Sequence, residues 1–284
     1  ADIDYIPADR FVRLTYTLKD DHKFVFGSGA VTITNNSDIY TASGGVAESR
    51  KFKLSGGSES ISYVEAGMLV PGTLNTFVFD DRNADGTHQG EGAFGIEGVD
   101  VQLVEQNGTT PVEYPDWHPN AGSPVTITTT NSSGLASIDY IPADRFVRLV
   151  YTLKDDHRFT TSSGAVENDK NSDVYNNNGE TRKFKINKGS ETINYVEAGM
   201  WAPGTINTFV WEDLNADGTH QGEGNNGVAG VAVTLYEQDG NTVVLDDNSN
   251  PVTAVTDANG NATLPYVPAD RLLRVGYAPN PGAV

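Results

Sequence analysis

Asp81-Arg82-Asn83-Ala84-Asp85-Gly86 leads through Gly90-Glu91-Gly92-Ala93-Phe94-Gly95 into Val99-Asp100-Val101-Gln102-Leu103, and that continuation decides which kind of fold carries the loop. The last stretch alternates apolar and polar residues, the period of a half-buried strand; a helix would need apolar residues three and four apart. Strand-like Asn75-Thr76-Phe77-Val78 precedes the loop, so the loop joins two strands. The same frame returns as Asp213-Leu214-Asn215-Ala216-Asp217-Gly218, again after Asn-Thr-Phe-Val, at an offset of 132 residues (213 against 81). The chain is therefore a tandem array with one acidic loop in each copy.

Oxygen donors at alternate positions are what a hard cation needs. Asp81, Asn83 and Asp85 stand at positions one, three and five of a calcium loop, and Gly86 supplies the sharp turn at position six. The Thr87 carbonyl and oxygens of Gln89 or Glu91 would continue the sphere. Asp213, Asn215, Asp217, Thr219, Gln221 and Glu223 form the second set. The pattern leaves the EF-hand rule at its far end, where Glu91 falls at position eleven and Gly92 at twelve. A bare Asx-rich turn is the competing reading of any single copy. Two copies in matched context favour Ca2+ as the cofactor.

The 284-residue chain carries 19 basic and 38 acidic side chains, a formal charge of −19. That balance repels nucleic acid and anionic membrane and favours cations as partners. Thirty glycines, with frequent Thr, Val and Tyr and no sustained helical period, read as all-β with polar turns. No apolar run is long enough to span a bilayer. The absence of cysteine removes disulfides and thiolate chemistry and leaves the redox compartment open. Loops of this kind bind calcium at about 10⁻⁴ to 10⁻³ M in extracellular modules, which places the protein outside the cell.

Self-alignment gives the organisation. Residues 3–22 recur at 138–157 with the single change of Thr15 to Val150, and residues 63–79 recur at 195–211. The length difference falls where Thr41-Ala42-Ser43-Gly44-Gly45 faces the shorter Asn176-Asn177-Asn178-Gly179, and loops absorb such changes cheaply. The reading is a complete unit at 72–203, flanked by the C-terminal part of a preceding unit at 1–71 and the N-terminal part of a following one at 204–284. Ala1-Asp2-Ile3-Asp4-Tyr5 matches the interior of a repeat, so the expectation is a piece of a longer protein. On that expectation 204–284 holds the first five strands of a unit and 1–71 the last four, and neighbouring copies complete them in a filament.

Within the complete unit the alternation predicts strands near 73–80, 98–106, 124–130, 135–141, 144–153, 181–187 and 191–198. In Phe146–Leu153 the apolar face is Val147, Leu149, Tyr151 and Leu153, opposite Arg148 and Thr152. Two antiparallel sheets packed through such faces make a sandwich.

These motifs in this order resemble the B-repeat domains of the serine-aspartate repeat surface adhesins, in the collagen-adhesin B-type (CnaB-like) superfamily. The resemblance rests on Gly204-Thr205-Ile206-Asn207-Thr208-Phe209-Val210-Trp211 with its loop, Gly227-Val228-Ala229-Gly230-Val231, Thr256-Asp257-Ala258-Asn259-Gly260, Ser172-Asp173-Val174-Tyr175 and Val196-Glu197-Ala198-Gly199-Met200. It implies an all-β fold of tandem immunoglobulin-like sandwiches, rigidified by calcium, that projects a binding head from a bacterial surface. The acidic loop holds the ion in that family. Gln89 and Gln221 stand where relatives often carry an acid, so Asp80, Glu212, Asp173 and Glu197 are further candidates to complete the sphere. Thr73 to Asp80 contains no Lys, so the isopeptide bond of some relatives is not expected.

The residues leave function in three classes: a structural stalk or filament of neighbouring repeats, a module that binds a host protein or glycan, and an enzyme accessory domain. Near-identity between copies favours the first. An adhesive site would sit in the insertion Tyr114-Pro115-Asp116-Trp117-His118-Pro119-Asn120, with Trp117 and Trp201 as the aromatics that lack a Trp counterpart. His88 and His220, at position eight of each loop, read as solvent-exposed turn residues rather than zinc ligands. No nucleophile elbow supports catalysis.

Overall fold

The computed structural model describes residues 3, 6–20, 22–27, 36–62, 64–89, 94–114, 118, 120–125, 128–141, 143–161, 170–187, 189–222, 224 and 226–279. Those residues contain no helix and seventeen strands. The first unit carries β1 (Thr15–Thr17), β2 (Lys23–Val25), β3 (Ile39–Ser43), β4 (Val46–Ser49) and β5 (Gly67–Leu69). The central unit carries β6 (Gly72–Asp80), β7 (Asp100–Glu105), β8 (Thr128–Thr129), β9 (Leu135–Ile141), β10 (Val147–Tyr151), β11 (Arg158–Thr160) and β12 (Thr192–Trp201). The third unit carries β13 (Gly204–Phe209), β14 (Val231–Glu237), β15 (Thr253–Val255), β16 (Asn261–Val267) and β17 (Leu273–Pro279).

Two sheets close the central unit, one ordered β11-β12-β6-β9 and the other β10-β7-β8. Their inner faces meet in one core: Leu74, Val78, Ile193 and Val196 from the first sheet, Val101, Leu103, Val147 and Leu149 from the second, all fully buried. Residues with alternating burial on both sheets are what a sandwich requires. Tyr151 pins the two layers together, its hydroxyl 2.6 Å from Thr76 Oγ1, which donates to the Val196 carbonyl at 2.7 Å. Burial of the ring pushes that phenol far up from its usual pKa. The pin repeats as Tyr277 against Thr208 at 2.6 Å and as Tyr16 against the Val64 carbonyl at 3.3 Å.

Three features differ from the sequence expectation. The pairing of β6 with β12 is parallel, in an otherwise antiparallel sandwich. Side-chain alternation reports which face is buried and is blind to strand direction; the parallel pair places the incoming strand and the outgoing strand so that they run the same way, towards the next unit. The segment 181–187 and the adjoining Glu180 touch β10 through isolated bridges at Val147–Phe184 and Val150–Glu180, and the strand that flanks β12 is β11 instead. Burial alternates over 183–187, with Phe184 and Ile186 inside, and that alternation is why the segment reads as a strand. Finally, the longer first-unit loop forms a full hairpin, β3 with β4, over Gly44 and Gly45 at positive φ, where the shorter Asn176–Gly179 turn supports only a Val174–Thr181 bridge.

The third unit repeats β6, β9, β7, β8 and β10 as β13, β16, β14, β15 and β17, in the same pairings. Among the described residues it has no counterpart of β11 and β12. Its core is correspondingly small, centred on Val233, Leu235 and Leu264.

Candidate functional site

The acidic loop begins where β6 leaves its sheet. Asp81 donates its backbone N–H to the Met200 carbonyl of β12 at 2.8 Å and is fully buried. Its carboxylate turns back into the loop: Oδ1 accepts from the Asp85 N–H at 3.1 Å and Oδ2 from the Gly86 N–H at 2.8 Å. Asn83 Oδ1 accepts from the same Asp85 N–H at 2.8 Å, and Asp85 Oδ1 accepts from the Thr87 N–H and hydroxyl at 2.8 and 2.9 Å. Side-chain oxygens that capture backbone donors two to five residues on are the physical reason Asp and Asn occupy these positions. Ala84 and Gly86 sit at positive φ, 56° and 86°, which tightens the turn around the inward oxygens.

The second loop reproduces this network closely. Asp213 accepts from Asp217 and Gly218 at 3.2 and 2.9 Å, Asn215 from Asp217 at 2.9 Å, and Asp217 from the Thr219 N–H and hydroxyl at 2.7 and 2.8 Å. Ala216 and Gly218 again have positive φ.

The surroundings of the loops differ. Over the first loop runs the segment 170–173: the Ser172 N–H reaches the Gly86 carbonyl at 2.8 Å, the His88 N–H reaches the Lys170 carbonyl at 3.3 Å, and Thr87 bridges Asn171. Asp173 ties this lid to β12, exchanging backbone and side-chain hydrogen bonds with Glu197, both at 2.8 Å. Asp38 and Glu65 make the same pair in the first unit. In both copies the second oxygen, Oδ1 of Asp173 or of Asp38, is buried without a hydrogen-bond partner among the described residues. The second loop lies open, with Asp213 through His220 exposed.

Titration follows this contrast. Burial pushes the Asp81 carboxyl up, helped by the like charge of Asp85 and opposed by the hydrogen bonds from Gly86 and Asp85. Burial likewise pushes Asp173 up to about 7, against the lowering effect of the Glu197 N–H and the Arg182 charge. Exposed Asp217 is held below its usual range, first by the Thr219 hydroxyl and then by the Thr219 N–H.

The loop brings together Asp81, Asn83, Asp85 and Thr87. Glu91 and Glu223 lie outside the described residues, and Gln89 and Gln221 are exposed. Asp80 is held by Arg82 at 3.1 Å, and Glu212 is exposed. Among the described residues no three acidic or histidine side chains gather into a metal-holding group. The set that is present consists of the Asp81 and Asp85 carboxylates with the neutral oxygens of Asn83 and the Thr87 carbonyl. It is oxygen throughout, as a hard cation prefers. An ionised carboxylate has about four lone-pair positions, so accepting N–H groups leaves room for an ion. The crowded like charges of Asp81 and Asp85, one of them desolvated, fit such an ion.

Two aromatic expectations change. His88 is not a free turn residue: it packs edge-on against Phe77 and Phe79, at 5.6 and 5.0 Å between ring centres, and its Nε2 lies 3.2 Å from Glu197 Oε2. The Phe at loop positions minus four and minus two was the signal for this contact, because alternate residues of β6 share a face. Trp201 is 8 % exposed and so is no free adhesive surface. Trp117 lies outside the described residues; its neighbours Tyr114 and His118 stack at 3.8 Å.

No protein-family model matches the chain. It is 29 % identical over 203 residues to serine-aspartate repeat-containing protein F of Staphylococcus epidermidis, covering 69 % of this chain and 10 % of that protein. It is 27 % identical over 169 residues to serine-aspartate repeat-containing protein D of Staphylococcus aureus strain Newman, covering 59 % of this chain and 11 % of that protein. Its homologues are thus serine-aspartate repeat proteins, and it spans about a tenth of the length of these curated relatives. Solved structures of similar shape include the Bacillus anthracis TIE protein (TM-score 0.33, 15 % identity, 94 % of this chain and 45 % of that one). A Streptococcal ancillary pilin follows (TM-score 0.31, 12 % identity, 93 % of this chain and 68 % of that one). No helix among the described residues is long and apolar enough to cross a membrane.

Proposed function

We propose that the chain is an extracellular structural segment of a bacterial surface adhesin, a non-enzymatic series of sandwiches whose acidic loops bind calcium and stiffen under it. The observation that carries the reading is the recurrence, 132 residues apart, of one loop with the same inward-facing oxygens and the same positive-φ turn. A spacer has the same task in every unit, and that favours repetition of the whole loop rather than of a single binding residue. Homology to serine-aspartate repeat proteins supports a surface location and an adhesin-related role.

In the closed unit the ion would neutralise Asp81 and Asp85 where β6 meets β12 and the 170–173 lid. Free calcium at about 100 times its dissociation constant adds roughly 2.7 kcal/mol of stability per site. Scanning calorimetry with calcium and with EDTA tests this: the expected result is a fall in melting temperature on chelation on the order of 10 °C. Superimposable transitions would refute it.

A further inference from the structure

The closed unit and the unit after it meet through a cluster centred on Arg158, whose side-chain partners are not calcium ligands. Arg158, at the start of β11, places Nε 2.8 Å from Asp247 Oδ2, with each side chain about one-third exposed or less (35 % and 26 %). Its guanidinium also lies over the Tyr266 ring, 5.6 Å from the centre. Asn177 Nδ2 donates to the Asp247 carbonyl at 3.3 Å, which fixes the same turn from a second side. Trp201, the last residue of β12, is nearly buried here. Asn177, Trp201, Asp247 and Tyr266 line a cavity of about 290 Å³ between the two units. On the far rim Arg82 approaches Asp270 at 3.8 Å and Arg271 reaches the Asn83 carbonyl at 3.5 Å.

We propose that this cluster is a cation-independent joint, in which Arg158 clamps the Asp247 turn and Tyr266 of the next unit and sets the angle between the two. A planar guanidinium that pairs with a carboxylate on its edge and stacks on a ring with its face is held in direction as well as distance, which a simple point charge is not. The pair is partly shielded from solvent, so it is screened less than an open surface pair. The joint is also selective for its partner. The equivalents of Arg158 and Trp201 in the first unit are Lys23 and Leu69, at offsets of 135 and 132, and Leu69 packs against the central core together with Tyr114. The two junctions therefore use different chemistry, and the third unit fits the second better than it would fit the first.

The chain has no cysteine, so paired spin labels can be introduced cleanly. Labels at Ser137→Cys and Thr253→Cys, both exposed and one in each unit, report the inter-unit distance by double electron–electron resonance. The full chain is expected to give one narrow distribution in saturating calcium and the same distribution in EDTA. Arg158→Ala should at least double its width in both conditions. The charge exchange Arg158→Asp with Asp247→Arg should recover most of the narrowing, which a merely misfolded variant would not do. A distribution that broadens in EDTA alone, or one that stays narrow in Arg158→Ala, overturns the proposal. Because the decisive arm is run without calcium, its outcome is separate from whether the loops bind the ion.

Discussion

The two acidic loops share their internal hydrogen bonds and differ in nearly everything around them. Asp81 is fully buried beneath the 170–173 lid and against β12, whereas Asp213 stands in solvent beside a five-strand unit. The contrast separates what the hexapeptide encodes from what the last strands add. Side-chain capture of backbone N–H groups needs only the local residues, so it is the same in both. Burial, the raised carboxyl of Asp81 and the His88–Glu197 contact all come from β12 and the lid. Local sequence makes the cradle, and closure of the sandwich tunes it.

The largest expected effect is on the closed loop. Asp81→Ala removes a buried carboxylate that two backbone donors depend on, so the calcium-dependent gain of roughly 2.7 kcal/mol in the central unit should vanish. Asp213→Ala should leave that gain intact and abolish only binding at the open loop. Scanning calorimetry of both variants with calcium and with EDTA checks this, and an equal loss of the calcium-dependent gain in the two would break the distinction between closed and open loops.

Next in size is pH dependence without calcium. Asp173 is raised to about 7, so the folded chain keeps a proton that the unfolded chain loses near pH 4. Between those values the folded state binds more protons, and stability must fall as pH rises through the window. Urea unfolding in EDTA should show a loss of a few kcal/mol from pH 4.5 to 7.5, since each tenfold difference in proton affinity between the folded and unfolded chain is worth about 1.4 kcal/mol. Asp173→Asn, which retains an acceptor for the Glu197 N–H, should flatten the profile. Asp217 in the open loop is displaced the other way, and its contribution disappears only as pH falls through its lowered pKa.

The smallest effect concerns the tyrosine pins. Tyr151 is 1 % exposed and Tyr277 is 53 % exposed, although each makes a 2.6 Å hydrogen bond to a threonine. Tyr151→Phe removes a buried hydrogen bond and leaves the Thr76 hydroxyl only its bond to the Val196 carbonyl, which should cost about 1–2 kcal/mol; Tyr277→Phe should stay within about 0.5 kcal/mol. Denaturant titration of the two variants measures the difference.

Much of this was legible in the residues. The alternation in Leu135–Ile141 and Val147–Tyr151 marks strands with the correct inner face, and the self-alignment places five strands after residue 204, as β13 to β17 do. What the residues hide is partnership. Nothing in the period of β6 or β12 says that they run parallel, since side chains alternate in the same way in either direction. Arg158-Phe159-Thr160 is too short to register as periodic, yet it is the strand that pairs with β12, while the better patterned 181–187 makes only bridges. At the loops, oxygen spacing reveals Asp81, Asn83 and Asp85. It does not reveal that Asp173 and Glu197 lock the lid above them, because those residues lie about 90 to 115 positions downstream in the chain.

Calcium stoichiometry by equilibrium dialysis, on the full chain and on Asp81→Ala and Asp213→Ala, tests the shared cradle most directly. One ion per loop at millimolar free calcium, with one lost in each variant, is the expected result. A chain that retains no calcium at that concentration, or variants that retain as much as the parent, would contradict the claim that these oxygens form a cation site.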